Sequence, residues 1–391
     1  MSKPKSFVFI LFLDFTAAFD TVNHSILFNK LQHQFLIKGT ALNWFKSFLT
    51  NIYFSVLIDD CCSSTKPVTC GVPQGSVFGP TIFSMYGQEI LNIAKSHNFT
   101  AHMYADDTQV YFECDDLDQG ILQLNNFFTD VKRWASKNYL KLNQSKSKLL
   151  VLSREKKQYS IIKEINSKIS FSSEQKVKNL GILLDNNLTF KDQINSVCRK
   201  GFHMLRNLWK VSSKISDVNL KIQIVQSCIL SPIDYCNSLY VFLPKNQVSR
   251  LQRLINASVR FIYNLRKHFR PSLSTPHPIS ITSFTKKCHF LPMEARIHFK
   301  ICILVYKCLN NNAPIYLQNL LSIKNSLPSL RISKDNYLLQ PVFQTLNYKQ
   351  RSFSAAAPAI WNMLPYELRS STSIGIFKKD LKTYFFQLHY D

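Results

Sequence analysis

FVFILFLDFTAAFD (residues 7–20) is the stretch from which the fold is read. Phe7 to Leu13 are all apolar and mostly aromatic or β-branched, which predicts a strand buried on both faces. Asp14 closes that run with a carboxylate. Lys3 and Lys5 ahead of it imitate the start of a signal peptide, but the apolar run stops at Asp14 and no small-residue cleavage site follows. A chain that begins almost directly on a buried central strand reads as truncated on its N-terminal side.

Outward from this strand the periodicity predicts a helix over 17–36, with Ile26, Leu27, Leu31 and Phe35 on one face, and a second over 41–49. Residues 52–58 alternate as a strand and 59–70 read as a polar hairpin. A Gly-rich loop, 71–79, precedes a helix over 81–97. A hairpin follows, 100–103 and 108–113, with its turn at Tyr104-Ala105-Asp106-Asp107. Then come a helix over 117–138, a strand over 148–153, and a strand pair near 168–171 and 177–185. From 192 the pattern is helical to 267. Residues 271–283 are rich in Pro and Ser and read as a linker, and 284–391 are again mostly helical.

The chain has 391 residues, room for two to three domains. Its 48 Lys and Arg against 24 Asp and Glu give a net charge of +24. That charge is divided unevenly. Residues 1–152 carry 13 basic and 12 acidic side chains, 13 − 12 = +1, and residues 153–391 carry 35 and 12, 35 − 12 = +23. A hydrophobic fraction of 46% excludes a disordered chain, and no apolar run is long enough to cross a bilayer. The charge calls for an anionic partner, with nucleic acid favoured over a merely solvated basic surface. The ten cysteines include no C-x-x-C pair and read as free thiols of an intracellular, non-secreted protein. Cys288, His289, His298, Cys302 and Cys308 lie near one another, but their spacing matches no common zinc pattern.

Three carboxylates stand out. Asp14 ends the first strand and Asp106-Asp107 lie in a hairpin turn, all flanked by hydrophobic strands. Gathered together they would raise one another's pKa or demand a cation. Oxygen-only ligands favour Mg²⁺, with Mn²⁺ a substitute, and two such ions can activate a hydroxyl and stabilise a leaving phosphate oxygen. An Asp-Asp pair is also an ordinary turn element. Three of only nine glycines fall within GVPQGSVFGP (71–80), marking a place where backbone closely approaches something else.

LDFTAAFD (13–20), GVPQGSVFGP (71–80), YADD (104–107), NYLKLNQSKSK (138–148) and VKNLGILLD (177–185), in this order, resemble the successive motifs of the reverse transcriptase of LINE-type (non-LTR) retrotransposons. HFLPMEARIHFKICILVYKCLNNNAP (289–314) and RSFSAAAPAIWNMLPYELRS (351–370) resemble the region after the polymerase core in that family. The resemblance implies an α+β right-hand polymerase: a palm of antiparallel sheet with packed helices over 1–152, with the fingers largely missing. It further implies a primer-grip and connecting segment over 153–191, a basic helical thumb over 192–270, and a helical C-terminal domain over 284–391. It implies an RNA-directed DNA polymerase that adds dNTPs to a DNA primer 3′-OH on an RNA template with two Mg²⁺ ions. The alternative is a catalytically inert nucleic-acid-binding relic of such an element.

Residue by residue, Asp14, Asp106 and Asp107 resemble the metal-binding carboxylates. Phe19 resembles the ring that excludes a 2′-OH, although a core Phe is the plain alternative. Gln74 and Gly75 resemble the loop at the nascent base pair, and Tyr104 belongs to the substrate side of the Asp-Asp turn. Lys146 resembles the lysine beside the departing pyrophosphate and equally reads as a solvated Lys. Leu180 and Gly181 resemble the turn of the primer grip. YGQEI (86–90) departs from the family's pattern. The basic region agrees with this picture independently. Arg253, Arg260 and Lys267 recur every seven residues with Arg250 beside them, opposite an apolar face of Leu251, Leu254, Ile255, Ile262 and Leu265, as a helix that tracks duplex phosphates requires.

Overall fold

The computed structural model describes residues 7–153, 158–265, 280–324, 336–341 and 349–390. They fall into two compact units, Met1–Leu188 and Thr189–Asp391.

In the first unit, chain order runs β1 (Phe7–Leu13), β2 (Phe15–Thr16), α1 (His24–His33), α2 (Gly39–Leu49) and the short strands β3 (Tyr53–Phe54), β4 (Leu57–Ile58), β5 (Cys61–Cys62) and β6 (Lys66–Pro67). It continues with α3 (Gly79–Gly87), α4 (Glu89–Ser96), β7 (Thr100–Tyr104), β8 (Asp107–Cys114), α5 (Leu117–Lys137), β9 (Lys141–Leu142) and β10 (Lys148–Leu152). α6 (Gln158–Lys168), β11 (Ser172–Ser173), β12 (Lys176–Asn179) and β13 (Ile182–Asp185) complete it.

Five strands form one sheet in the order β11-β10-β1-β8-β7, so the opening apolar strand is central. It does not bury both faces equally. Phe7, Phe9, Leu11 and Leu13 are buried while the residues between them are half-buried, so one face makes the core and the other is left for the site. On the core face Phe9 stacks on Phe112 at 4.9 Å, and Phe112 on Phe99 at 4.0 Å. α5 lies on this face through Gly120, where a Cβ would stand 2.5 Å from the Phe9 ring. That explains a glycine inside a helix better than any propensity does.

Four sequence expectations are corrected here. The helix expected over 17–36 begins only at His24. Ala17 is left-handed (φ 48°), and the chain turns there before Asn23 caps α1 by accepting from Ile26 N at 3.0 Å. The helix expected over 81–97 is two helices. Lys30 Nζ takes the Tyr86 carbonyl at 2.7 Å, an acceptor that a continuous helix would give to residue 90. The strand expected near 168–171 is the last residue of α6, whose Ile161 and Ile165 are buried one turn apart, followed by irregular chain, and the strand forms just beyond it as β11 (Ser172–Ser173). The hairpin of the next pair lies wholly within 176–185. Residues 53–67 pair only two residues at a time, and these strands face solvent.

A buried polar cluster locks α1, α4 and α5 together. Lys30 Nζ, its side chain 5% exposed, meets Glu89 Oε2 at 3.0 Å and lies over the rings of Tyr86 and Trp134. Glu89 also accepts from Trp134 Nε1 and from Gln34 Nε2. Tyr86 Oη donates to Asn138 O at 2.7 Å, and burial pushes its pKa up to about 12. YGQEI, the segment that departs from the family's pattern, therefore anchors the helices beneath the site.

The second unit is helical among its described residues: α7 (Lys191–Lys210), α8 (Val218–Val225), α9 (Ser231–Asp234), α10 (Lys245–Ile262), α11 (Ile281–Lys287), α12 (Met293–Leu309), α13 (Ile315–Gln318), α14 (Phe353–Trp361), α15 (Tyr366–Arg369) and α16 (Ile374–Tyr390). α10 closes at Ile262 rather than near 267, and Lys267 lies outside the described residues, as does most of the expected linker. The linker's last residues are already structured, because Ser280 Oγ caps α11 by accepting from Thr282 N at 3.3 Å. Gly201 of α7 lets that helix close onto Leu254 of α10. Cys288, Cys302 and Cys308 are buried, and burial pushes their thiol pKa values up, so they serve as apolar packing groups.

Candidate active site

Strand register brings the carboxylates together. β1 and β8 pair antiparallel with Leu13 opposite Thr108, and one step further Asp14 comes abreast of Asp107. β7 and β8 pair Tyr104 with Asp107, leaving Ala105 and Asp106 as a two-residue turn. Ala105 has φ 54° and Asp106 does not share that sign, the pattern of a type II′ hairpin turn. Alternation puts Asp14 and Asp107 on the sheet face opposite the core.

Asp107 carries the electrostatic mark of this gathering. Burial raises its pKa, and the neighbouring carboxylates of Asp106 and Asp14 raise it further. Among the described residues no three His, Cys, Asp or Glu side chains form a closed metal shell, and the three aspartates expected as ligands are no exception. The donor set still fits a hard divalent cation, since Mg²⁺ is commonly held by one or two carboxylates with substrate phosphates and water completing its shell.

The segment 138–148 braces Asp14 from the other side. β2 pairs with β9, Asn143 N donates to Asp14 O at 2.8 Å, and Asp14 N donates to Ser147 Oγ at 3.2 Å. Ser147 is fully buried and its hydroxyl donates to Asn143 O at 2.8 Å. Asn143 Oδ1 accepts from Ser145 Oγ and from Lys146 N, fixing the tight turn that presents Lys146 to solvent. Sequence reasoning singled out only Lys146 here. The Asn and Ser four residues apart were visible, but their backbone-directed role was not.

The Gly-rich loop closes the third side. Val72 N donates to Phe19 O and Gly71 N to Val22 O, both at 2.8 Å. Gly71 (φ 91°) sits so close to Asp20 that a Cβ would lie 2.9 Å from its carbonyl oxygen. Gln74 Nε2 donates to Asp20 Oδ1 at 2.8 Å, a partner not anticipated from sequence. Ser76 Oγ accepts from Gly79 N at 3.0 Å and starts α3. The Phe19 ring packs 5.4 Å from that of Phe83, over Gly79.

One cleft of about 570 Å³ results, and Asp14, Phe19, Gln74, Gly75, Asp106 and Lys146 all line it. Asp20, Ser76 and Asn143 line it as well. Asp107 stands beside the cleft in register with Asp14, whereas Tyr104 is 69% exposed and is not part of its wall. Leu180 (φ 45°) and Gly181 (φ 83°) make the left-handed turn joining β12 to β13. That hairpin is tied to the site face by Asn179 Nδ2 donating to Gln109 Oε1 of β8 at 2.8 Å.

In the second unit, Arg250 and Arg253 of α10 line a groove of about 520 Å³ with Asn195, Cys198, Arg199 and Phe202 of α7. Arg250 donates to Asn195 Oδ1, Arg253 is exposed and Arg260 is half-buried. Arg199 was missed by sequence because its neighbourhood is set by the packing of α7 on α10.

One cleft thus unites Asp14 just past the end of β1, Asp106 in the β7–β8 turn, the brace around Asp14 and the Gly-rich loop. The family model described as reverse transcriptase (RNA-dependent DNA polymerase) matches residues 1–184 of this chain. It is similar to the RNA-directed DNA polymerase from mobile element jockey of Drosophila funebris, 28% identical over 262 residues, 64% of this chain and 28% of that one. It is also similar to the probable RNA-directed DNA polymerase from transposon BS of Drosophila melanogaster, 24% identical over 271 residues, 66% of this chain and 29% of that one. Both relatives are mobile-element polymerases by name, and this chain spans less than a third of their length. A solved telomerase from Candida albicans, with a TWJ fragment of telomeric RNA, overlaps 72% of this chain and 46% of its own at 12% identity and a TM-score of 0.34, too little to build on.

Proposed function

We propose that this chain carries the polymerase chemistry of a LINE-type mobile element, joining dNTPs to a DNA primer on an RNA template. The observation that carries this reading is the single cleft shared by Asp14, Asp106, Phe19, Gln74, Gly75 and Lys146. The primer 3′-OH attacks the α-phosphate of the dNTP and pyrophosphate leaves. Asp14 and Asp106, with Asp107 beside them, hold the cations, two Mg²⁺ or Mn²⁺, which when bound make the hydroxyl a better nucleophile and stabilise the leaving oxygen. Lys146 donates a proton to the departing pyrophosphate, or neutralises its charge. Gln74, steadied by Asp20, and Gly75 lie against the nascent base pair. Tyr104 flanks the substrate side of the Asp-Asp turn, and Leu180 and Gly181 border the primer end. Primer extension on an RNA template by the purified chain tests the whole reading, and failure to incorporate any nucleotide in Mg²⁺ or Mn²⁺ contradicts it.

Phe19 is the sugar gate in this reading. Phe19→Ala admits ribonucleotides and lowers the preference for dNTP over rNTP by roughly ten- to a hundredfold, the range a changed steric fit produces in a pocket. Competition of dATP against ATP in single-nucleotide extension measures it. Equal loss of both nucleotides would mark the ring as core only.

The α7–α10 region acts as a thumb, tracking the template–primer duplex through its phosphates. Replacing Arg250, Arg253 and Arg260 by Gln flattens the slope of log K against log salt for duplex binding by about two to three units, at roughly 0.9 per phosphate contact. Salt titration of fluorescence anisotropy on a labelled duplex reads this, and an unchanged slope rejects the assignment.

A further inference from the structure

A second cleft in this unit, about 880 Å³, is not the arginine groove and shares no residue with it. Residues 189–391 hold 28 basic and 8 acidic side chains, 28 − 8 = +20 of the chain's +24, far more than three arginines on α10 account for. One wall is a face of α12, where Phe299, Ile303 and Lys307 recur at four-residue spacing with Lys300 beside them. α16 adds Lys382, and the stretch after α9 adds Tyr235, whose ring is 51% exposed.

The charges at this cleft are not all equivalent. Arg296 meets Asp234 at 2.6 Å and donates Nε to Leu291 O at 3.0 Å, so it holds the wall together. Among the described residues no acidic side chain forms an ion pair with Lys300, Lys307 or Lys382. Three unneutralised ammonium groups in one concave surface favour a ligand with several spaced negative charges. The wall also has rings and aliphatic side chains, which phosphates alone do not require. The backbone is distorted nearby, with Gln226–Leu230 wound as a π-helix and Cys236 left-handed (φ 52°), features that recur where a fold shapes a site.

We infer that this cleft is a second nucleic-acid site that takes a single strand, its phosphates on Lys300, Lys307 and Lys382 and a base against Tyr235 and Phe299. A duplex hides its base faces and offers nothing to the rings, whereas an unpaired strand offers both phosphates and faces. An acidic protein segment would satisfy the lysines but not the aromatic wall. The inference does not depend on the polymerase reading, because no residue of the Asp14 cleft takes part.

The test uses the full chain and the triple variant Lys300→Gln/Lys307→Gln/Lys382→Gln, with Tyr235→Ala as an independent variant on the aromatic side. The probes are a labelled single-stranded RNA 12-mer, a duplex of equal length and a poly-glutamate peptide. The triple variant is expected to flatten the single-strand salt slope by about two units, at roughly 0.7 per phosphate. Tyr235→Ala is expected to weaken single-strand binding by about five- to a hundredfold. Duplex affinity stays as in the parent chain, and primer extension by the same preparations reports separately on the Asp14 cleft. An unchanged single-strand slope in the folded triple variant overturns the inference. Equal loss of duplex and single-strand binding, or tighter binding of poly-glutamate than of RNA, overturns it too.

Discussion

Asp106→Asn lowers primer extension in Mg²⁺ by at least about a hundredfold while leaving template–primer binding intact. The expectation follows from where the residue sits. A two-residue turn between β7 and β8 offers Asp106 to the cleft that Asp14 lines from the end of β1. An amide keeps the shape but removes the negative charge that opposes a divalent cation. Cation-assisted stabilisation of the transferring phosphoryl group is worth several kcal/mol, and each 1.36 kcal/mol is tenfold in rate. Steady-state extension on an RNA template with a DNA primer, with duplex affinity measured on the same sample, separates chemistry from binding. Residual activity above a tenth of the parent's would remove Asp106 from the reaction. Asp107 adds a pH signature. Its raised pKa means that the site, free of cation, begins to protonate above the ordinary aspartate value of 3.8. Cation affinity therefore falls on acidification sooner than isolated aspartates would dictate.

The second large effect is on stability. Glu89→Ala is expected to cost about 3–5 kcal/mol, because it leaves the Lys30 ammonium buried with only the Tyr86 carbonyl and two rings as partners. Lys30→Met costs less, since Glu89 is 30% exposed and keeps its donors Trp134 and Gln34. Hydrogen exchange of α5 amides reads the change within this unit. Equal effects of the two substitutions, or none, would contradict the asymmetry. The pH dependence follows from the two shifts. Burial pushes the Glu89 pKa up, but the hydrogen bonds from Trp134, Gln34 and Lys30 outweigh it, and the net direction is down from 4.5. Glu89 therefore contributes stability that is present above about pH 4.5 and is lost as pH falls through its lowered folded value. Burial lowers the Lys30 pKa, a shift that the hydrogen bond and charge of Glu89 only partly reverse, so the charged form carries a penalty at neutral pH. That penalty is relieved as pH rises from the folded value toward 10.5. Glu89→Ala removes the acid-side loss.

The motif segments were legible without coordinates because each is held mainly by its own neighbours. An apolar run ending in Asp14, a hairpin turn at Asp106-Asp107 and a loop holding three of nine glycines announce themselves through local rules of strand, turn and backbone freedom. The long helix α5 and the basic face of α10 were legible for the same reason, since their periodicity runs over many turns. What escaped depended on partners distant in sequence. Lys30 breaks the expected 81–97 helix by capturing the Tyr86 carbonyl, a contact spanning 56 residues. Ser147 and Asn143 grip Asp14 across 133 and 129 positions, and Gln74 finds Asp20 across 54. Residue types and order by themselves determined which carboxylates, ring and loop could make a site. Only the tertiary structure decided which of them line one cleft, left Tyr104 outside its wall and brought Arg199 beside Arg250, because side chains meet through strand register and helix packing, and neither is written in any single segment.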